Sequence, residues 1–355
     1  MNIQDFKHVH CIGIGGIGIS GIAKFLQANG ISVSGSDATK SSVTDGCLKL
    51  GITVYIGHAE SNVPANTDLI VYTEAVSAEN VERITATSRG IKQMGHFDFL
   101  GELSKSYRTI CITGTNGKST TTAMTGKVFI DAGLDPTVFV GSIVPGWELG
   151  NVRVGKSDIL IVEGDEYKRK MLKLHPQTTL ITNIELDHTD IYTDLADVQK
   201  AFSQLEAQTT GKIIKCDDLT GNLKERRIEN GTQILGNIVL SVPGEFNMVN
   251  ALGAKAVAQE YGISDEIIAR SLAEFTGIWR RFERVGNFVW PTENVKESVV
   301  PVFSDYGHHP TAVIGTLKGA REFFPNNRIV LLFESHQHNR TKELFNDFAK
   351  SFGGA

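Results

Sequence analysis

The stretch "ICITGTNGKSTTTAM", residues 110–124, joins an apolar run to two glycines three apart, then to a lysine and a serine. Ile110, Cys111 and Ile112 form a β-type run. Gly114 and Gly117 permit a tight turn, and Lys118, Ser119 and Thr120 open a segment able to be helical. Such a turn aims backbone N–H groups and a helix dipole at an anion. The usual phosphate loop has a glycine five residues before the one preceding the lysine, and here that place is Ile112. The turn is therefore the shorter Gly-x-x-Gly-Lys-Ser form. It predicts Lys118 on the β- and γ-phosphates of a nucleotide and the Ser119 hydroxyl on Mg²⁺. The bland alternative is a glycine turn with an ordinary helix start.

Two further apolar runs end in polar clusters. "DILIVEGDE" places Glu163 just past a strand, where a carboxylate suits a hard cation. "TTLITNIELDHTDIY" places His188 among carboxylates, fit for a second metal or a phosphate. Ligands of open parallel sheets sit outside the carboxyl ends of strands, so Lys118, Glu163 and His188 are expected to converge. Glu163 as a solvated acid and His188 as a structural histidine are the alternatives.

The first hundred residues repeat a strand–helix rhythm. "HVHCIGIGGIGISGIAKFLQANG", "ISVSGSD", "GITVYIG" and "TDLIVYTEAV" supply four strands, which argues for a parallel sheet with covering helices. Gly13-x-Gly15-x-x-Gly18 has dinucleotide-fingerprint spacing, and Asp37 ends the next strand. That pattern suits a nicotinamide cofactor or any other ligand bearing a pyrophosphate. A nicotinamide-dependent oxidoreductase would leave the lysine loop and both acidic clusters unexplained. The polar stretch "GELSKSYRT" closes this unit near residue 105. Residues 205–245 are polar with weak strand signals, and "FNMVNALGAKAVAQEYG" reads as a helix with a glycine stop. From about 285, "VVPVFSDYGHHPTAVIGTLKGAREFFP" reads as strand, loop and helix, and "NRIVLLFESHQHN" as another strand. Arg280 and Arg281 are able to pair with phosphate or carboxylate, or to be a solvated basic pair.

Composition narrows the class. With 35 basic and 40 acidic residues, the formal charge of −5 gives no electrostatic argument for nucleic acid. Four cysteines without C-x-x-C spacing read as buried free thiols in a reducing cytoplasm. The N-terminus has no signal-peptide pattern, and no window is apolar enough to span a membrane.

Five motifs in order, "GTNGKST", "EGDE", "TNIELDH", "FNMVNALGA" and "RRFE", resemble those of the Mur ligase family, the ATP-dependent amide ligases of peptidoglycan precursor synthesis. The resemblance implies an α/β chain of three domains. Residues 1–105 would be a Rossmann-like UDP-sugar-binding domain and 106–285 a central P-loop-type ATPase domain. Residues 286–355 would be an incomplete C-terminal Rossmann-like domain. It implies ATP and Mg²⁺ as cofactors, with Gly114, Thr115, Asn116, Gly117, Lys118, Ser119, Thr120, Asn247, Arg281 and Asp305 around the nucleotide. Ser119, Glu163 and His188 would hold metal, and Lys118, Glu163 and His188 would be catalytic. Gly13, Gly15, Gly16, Gly18, Ser36, Asp37 and His308 would meet the other substrates. "HCIGIGGIGISGIA" with "SGSD" and "SDYGHHPTAV" resembles family members acting on UDP-N-acetylmuramate, which implies L-alanine as the amine. The alternatives are the tripeptide L-Ala-γ-D-Glu-meso-diaminopimelate, toward which "EGDEY" leans, or a nucleotide-binding form without turnover. Family members that add L-alanine typically have histidine where this chain has Asn116 and threonine where it has Ser119, whereas Asn-Gly-Lys-Ser/Thr is commoner in members acting later in the pathway. The resemblance further implies a cytoplasmic monomer or weak homodimer that closes its third domain onto the second.

Overall fold

The computed structural model describes residues 2–229, 231–290, 298–335 and 338–355. The first sheet is built from β1 (His8–Ile12), β2 (Ser32–Asp37), β3 (Thr53–Ile56), β4 (Leu69–Tyr72) and β5 (Lys92–Gly95) in the order β3-β2-β1-β4-β5, all parallel. Helices α1 (Ile17–Ala28), α2 (Ser42–Lys49), α3 (Val81–Ser88) and α4 (His96–Ser104) cover it. The residues "GELS" complete α4, whose buried Leu100 and Leu103 draw it onto the core.

The second sheet has the order β11-β10-β6-β9-β7-β8. Its strands are β6 (Arg108–Thr113), β7 (Thr137–Phe139), β8 (Val152–Arg153), β9 (Ile159–Gly164), β10 (Thr178–Ile181) and β11 (Lys212–Lys215). Only β8 runs antiparallel to its neighbour. Strand β6 is buried from Thr109 to Thr113, as expected of a parallel strand covered on both faces. It is followed by α5 (Lys118–Asp131), in which Thr121, Thr122 and Thr125 donate to the carbonyls of Gly117, Lys118 and Thr121. Those back-bonds satisfy hydroxyls that burial takes from water, so a β-branched run survives as helix.

Beyond α6 (Leu195–Gln208), the polar tract folds into an antiparallel sheet of β12 (Arg227–Glu229), β13 (Thr232–Leu235) and β14 (Ile238–Leu240). Helices α7 (Glu245–Glu260) and α8 (Asp265–Ala273) then pack on α5. The chain continues as an antiparallel ribbon of β15 (Glu283–Trp290) and β16 (Ser298–Ser304), then α9 (Pro310–Phe323), α10 (His338–Glu343) and α11 (Phe345–Ser351). The expected strand in "NRIVLLFESHQHN" does not form over 328–335. Ile329, Leu331 and Phe333 pack on Val313, Leu317 and Phe348, but among the described residues no neighbouring strand supplies a ladder. His336 and Gln337 of that stretch lie outside the described residues.

One apolar cluster runs through the first two sheets, with the Phe25 and Phe139 rings 5.4 Å apart. Beside it, the buried Lys24 ammonium donates to Leu149 O and to Asn151 Oδ1, each at 2.8 Å. Asn151 donates in turn to Ser20 Oγ at 3.1 Å. An unpaired polar group there costs about 1–3 kcal/mol, so this satisfied network holds α1 against the β7–β8 edge. All four cysteines are free and buried. Among the described residues, no helix is long and apolar enough to cross a membrane.

Glu82 on α3 is fully buried and accepts from Ser36 Oγ and from Asn62 Nδ2 at 2.7 Å, with His10 Nε2 at 3.6 Å. Burial alone would raise its pKa, but the nearby His10 imidazole and the hydrogen bonds from Ser36 and Asn62 outweigh it and hold the carboxyl at about 2. A depressed carboxyl stabilises the fold above its ordinary value of 4.5 and loses that contribution as pH falls toward 2. Glu82→Gln should therefore lower stability near neutrality by up to about 3 kcal/mol. Urea unfolding of both proteins should show the gap closing below pH 4.5; a pH-independent gap would remove Glu82 as the titrating group.

Candidate functional site

The loop after β6 is shaped by close approach. Gly114 has φ +137°, and a Cβ there would lie 2.0 Å from Thr182 Oγ1. Gly117 has φ +85°, and its Cβ would lie 2.4 Å from Asn250 Oδ1. The loop is laced to the strand-end segment after β10: Thr115 N donates to Asn183 O at 3.0 Å, and Asn116 N to Asn183 Oδ1 at 2.8 Å. Glu185 N donates to Thr115 Oγ1 at 2.8 Å. Thr120 is buried behind the loop in the first turn of α5.

Lys118 and Ser119 stand at the N-terminus of α5, beside the end of β9. Ser119 Oγ donates to Glu163 Oε1 at 3.0 Å, and Gly141 N donates to Glu163 Oε2 at 2.7 Å. Burial raises the Glu163 pKa above the usual carboxylate value, although Lys118 and those donors oppose it. Lys118 Nζ donates to Gly114 O at 2.7 Å and pairs with Glu166 Oε2 at 2.8 Å. Burial opposes its charge, but Glu166 and Glu163 outweigh burial and raise its pKa. His188 Nε2 lies 3.5 Å from Glu166 Oε1. Burial works against the imidazolium, but the Glu166 and Asp187 carboxylates prevail and raise the His188 pKa.

Lys118, Ser119, Glu163 and His188 thus meet at adjacent ends of β6, β9 and β10. Among the described residues, no three His, Cys, Asp or Glu side chains form a ready-made metal cage. The Ser119 hydroxyl and Glu163 carboxylate are hard oxygens 3.0 Å apart beside the loop. They fit Mg²⁺, which takes one or two protein oxygens and completes its shell with phosphate and water.

Other predicted residues sit elsewhere. Asn247 is buried in the first turn of α7, donating to Pro243 O at 2.7 Å and accepting from Asn250 at 3.2 Å. Asp305 follows β16 and accepts from Phe282 N at 2.8 Å and Gly307 N at 2.7 Å, which pins its loop to the Arg281 segment. The Arg281 guanidinium lies 5.5 Å from the Tyr306 ring. Burial, with Arg340 and Arg281 nearby, pushes the His308 imidazole down to about 4.

Gly13, Gly15 and Gly16 form the turn between β1 and α1, and Gly18 stands in the first turn of α1, beside the β1/β4 pairing where the strand order reverses. Asp37 Oδ2 accepts from Gly15 N at 2.8 Å and holds the turn, while Oδ1 accepts from Thr39 N at 3.1 Å in the loop after β2. Ser36 is enclosed in the Glu82 network.

Sequence reasoning did not single out Glu166, Asp187 or Arg340. Arg340 on α10 donates to Asp187 Oδ1 at 2.9 Å, and Thr189 donates to Glu343 at 2.6 Å, so the last helices reach the residues flanking His188. Glu166 lay in view within "EGDE", but nothing in that string ranks one acid over another.

An open parallel sheet with a lysine phosphate loop between two acid-bearing strand ends is the build of a nucleoside-triphosphate-dependent α/β enzyme. The description "Mur ligase family, catalytic domain" matches residues 8–108, and "Mur ligase middle domain" matches residues 112–236. A UDP-N-acetylmuramate–L-alanine ligase of Clostridium botulinum is 38% identical, over 98% of this chain and 81% of its own length. The crystal structure of UDP-N-acetylmuramate–alanine ligase MurC from Thermotoga maritima superposes with a TM-score of 0.84 at 29% identity. It covers 98% of this chain and 83% of that one. A murein peptide ligase from Psychrobacter arcticus shares the fold, with a TM-score of 0.72 at 24% identity over 98% of this chain and 83% of that one. This chain belongs to the Mur ligase family.

Gly114→Ala places a methyl against Thr182 Oγ1 at a φ that L residues rarely adopt, a strain of about 1–3 kcal/mol. It should lower the melting temperature and weaken ATP binding. Lys118→Ala leaves the buried Glu166 carboxylate without its partner, so it should lower the melting temperature as well as abolish ATP binding by calorimetry. Retained affinity in Lys118→Ala would remove the lysine from the phosphate site.

Proposed function

We propose that this protein joins L-alanine to the lactyl carboxylate of UDP-N-acetylmuramate at the expense of ATP. The observation that carries this reading is the meeting of Lys118, Ser119, Glu163 and His188 at three neighbouring strand ends. It is supported by 38% identity, across nearly the whole chain, to a relative of that name. Residues 1–105 would seat the uridine nucleotide, 106–285 the ATP and 286–355 the amine.

A carboxylate is a poor acylating agent, so it must first gain a leaving group. A lactyl carboxylate oxygen attacks the γ-phosphorus, the bond to the β-bridging oxygen breaks, and ADP departs with that electron pair. The alanine nitrogen then attacks the acyl carbon, phosphate leaves with the acyl C–O electron pair, and the nitrogen loses a proton. The protein supplies charge and alignment for both steps. Lys118 neutralises the β- and γ-phosphates and the acyl phosphate, while the loop N–H groups cradle the anion. Ser119 and Glu163 would hold Mg²⁺, with His188 at a second ion or at the carboxylate; when bound, the cation supplies Lewis-acid neutralisation of phosphate charge. Arg281, Asp305 and Asn247 would border the nucleotide, and His308 the amino substrate.

Phosphate release with ATP, Mg²⁺ and UDP-N-acetylmuramate should depend on L-alanine. Release only with L-Ala-γ-D-Glu-meso-diaminopimelate would replace the amine in this reading by the tripeptide. Binding of ATP with no release in either case would make the chain a nucleotide-binding form.

A further inference from the structure

Glu166 is the most enclosed acid of its cluster, with its side chain 3% exposed. Its carboxylate stands between groups from two other elements. Lys118 Nζ, at the start of α5, lies 3.1 Å from Oε1 and 2.8 Å from Oε2. His188 Nε2, from the segment after β10, lies 3.5 Å from Oε1. Its own main chain is held from behind, since Glu166 O accepts from the Tyr192 hydroxyl at 2.6 Å and from Arg169 N at 2.8 Å. Tyr192 is 1% exposed, so that anchor lies in the core.

The neighbouring backbone is unusual in the same place. Lys168, Arg169 and His188 adopt φ of 53°, 57° and 56° without being glycine. Such residues cost about 1–3 kcal/mol each and persist where the surroundings over-determine them. The surroundings do so here. Arg169 pairs with Asp197 at 2.5 Å, and Lys170 with Asp165 at 2.8 Å. The Tyr167 ring lies 4.8 Å from the His188 ring, while its hydroxyl donates to Asp190 at 3.0 Å. The strained turn thereby fixes both Glu166 and the imidazole it faces.

We infer that Glu166 is a positioning residue for phosphoryl transfer, one carboxylate shared by Lys118 and His188 that sets the spacing at which ammonium and imidazole face the reacting group. This rests on the proposed ATP-dependent activity. A carboxylate serving only as counter-ion to a buried lysine would need its charge but not its reach. Positioning needs both, because a misplacement of about 1 Å in an aligned site costs roughly 100-fold in rate.

Glu166→Asp keeps the charge and withdraws it by one methylene, while Glu166→Gln keeps the reach and removes the charge. Both are compared with the parent in melting temperature, in calorimetric affinity for a non-hydrolysable ATP analogue with Mg²⁺, and in kcat and KM for phosphate release. The expected result for Glu166→Asp is analogue affinity within about threefold of the parent and kcat lower by about 100-fold. Glu166→Gln should lose at least as much kcat, and its loss should not add to that of Lys118→Arg. Parent-like kcat in Glu166→Asp would overturn the inference, as would matched losses of affinity and melting temperature. A crystal structure of the analogue complex decides independently of turnover. Lys118 Nζ and His188 should both remain on the Glu166 carboxylate, and a complex with either turned away would overturn the inference. If the parent releases no phosphate with either amine, the activity reading fails, while the analogue complex still decides the geometry.

Discussion

Much of this molecule is organised around one ammonium group taken largely out of water. Lys118 keeps its charge at 16% side-chain exposure because two loop carbonyls and the Glu166 carboxylate surround it. Removing one partner of such a pair leaves an uncompensated buried charge, which is far costlier than losing a surface bridge. The lysine cannot therefore be placed without also placing the end of β9 and the turn beyond it. That requirement couples a glycine loop to an acidic strand end and, through Glu166, to the segment after β10.

Register carries the coupling. Strand β6 pairs with β9 on one side and β10 on the other, with Ile112 opposite Glu163 and opposite Leu180. Three chain segments far apart in sequence therefore reach the same sheet edge together. The first sheet follows the same logic, its glycine turn lying where the strand order reverses. The two sheets share a continuous apolar cluster and the Lys24–Asn151 network, so the first sheet and its glycine turn are held firmly to the second. The third unit reaches the centre through polar bridges. Arg226 binds Glu322 through both terminal guanidinium nitrogens, and Arg340 meets Asp187.

The strand–turn–helix order of the centre was legible because Ile110–Ile112, Gly114, Gly117 and Lys118 each have a local reason to be where they are. Glu163 and His188 were legible as strand-end residues for the same cause. The partners of Asp37 and Ser36 were not legible, because Gly15 N and the Glu82 carboxylate come near them only on folding. The strand read into residues 328–335 failed because alternation of apolar residues specifies a face but not a neighbour. A strand exists only when another chain segment completes its hydrogen bonds.

By itself, the sequence determined the α/β class, the lysine phosphate loop and the family, because these rest on short-range patterns of turn, strand and helix. Tertiary structure alone decided which of the acids in "EGDE" faces the lysine, since that depends on the left-handed turn at Lys168 and Arg169 and on the Tyr192 anchor. It likewise decided that Arg340 comes to rest beside Asp187, 153 residues away in the chain. Ion pairs of that range are set by the packing of whole elements, and no local spacing encodes them.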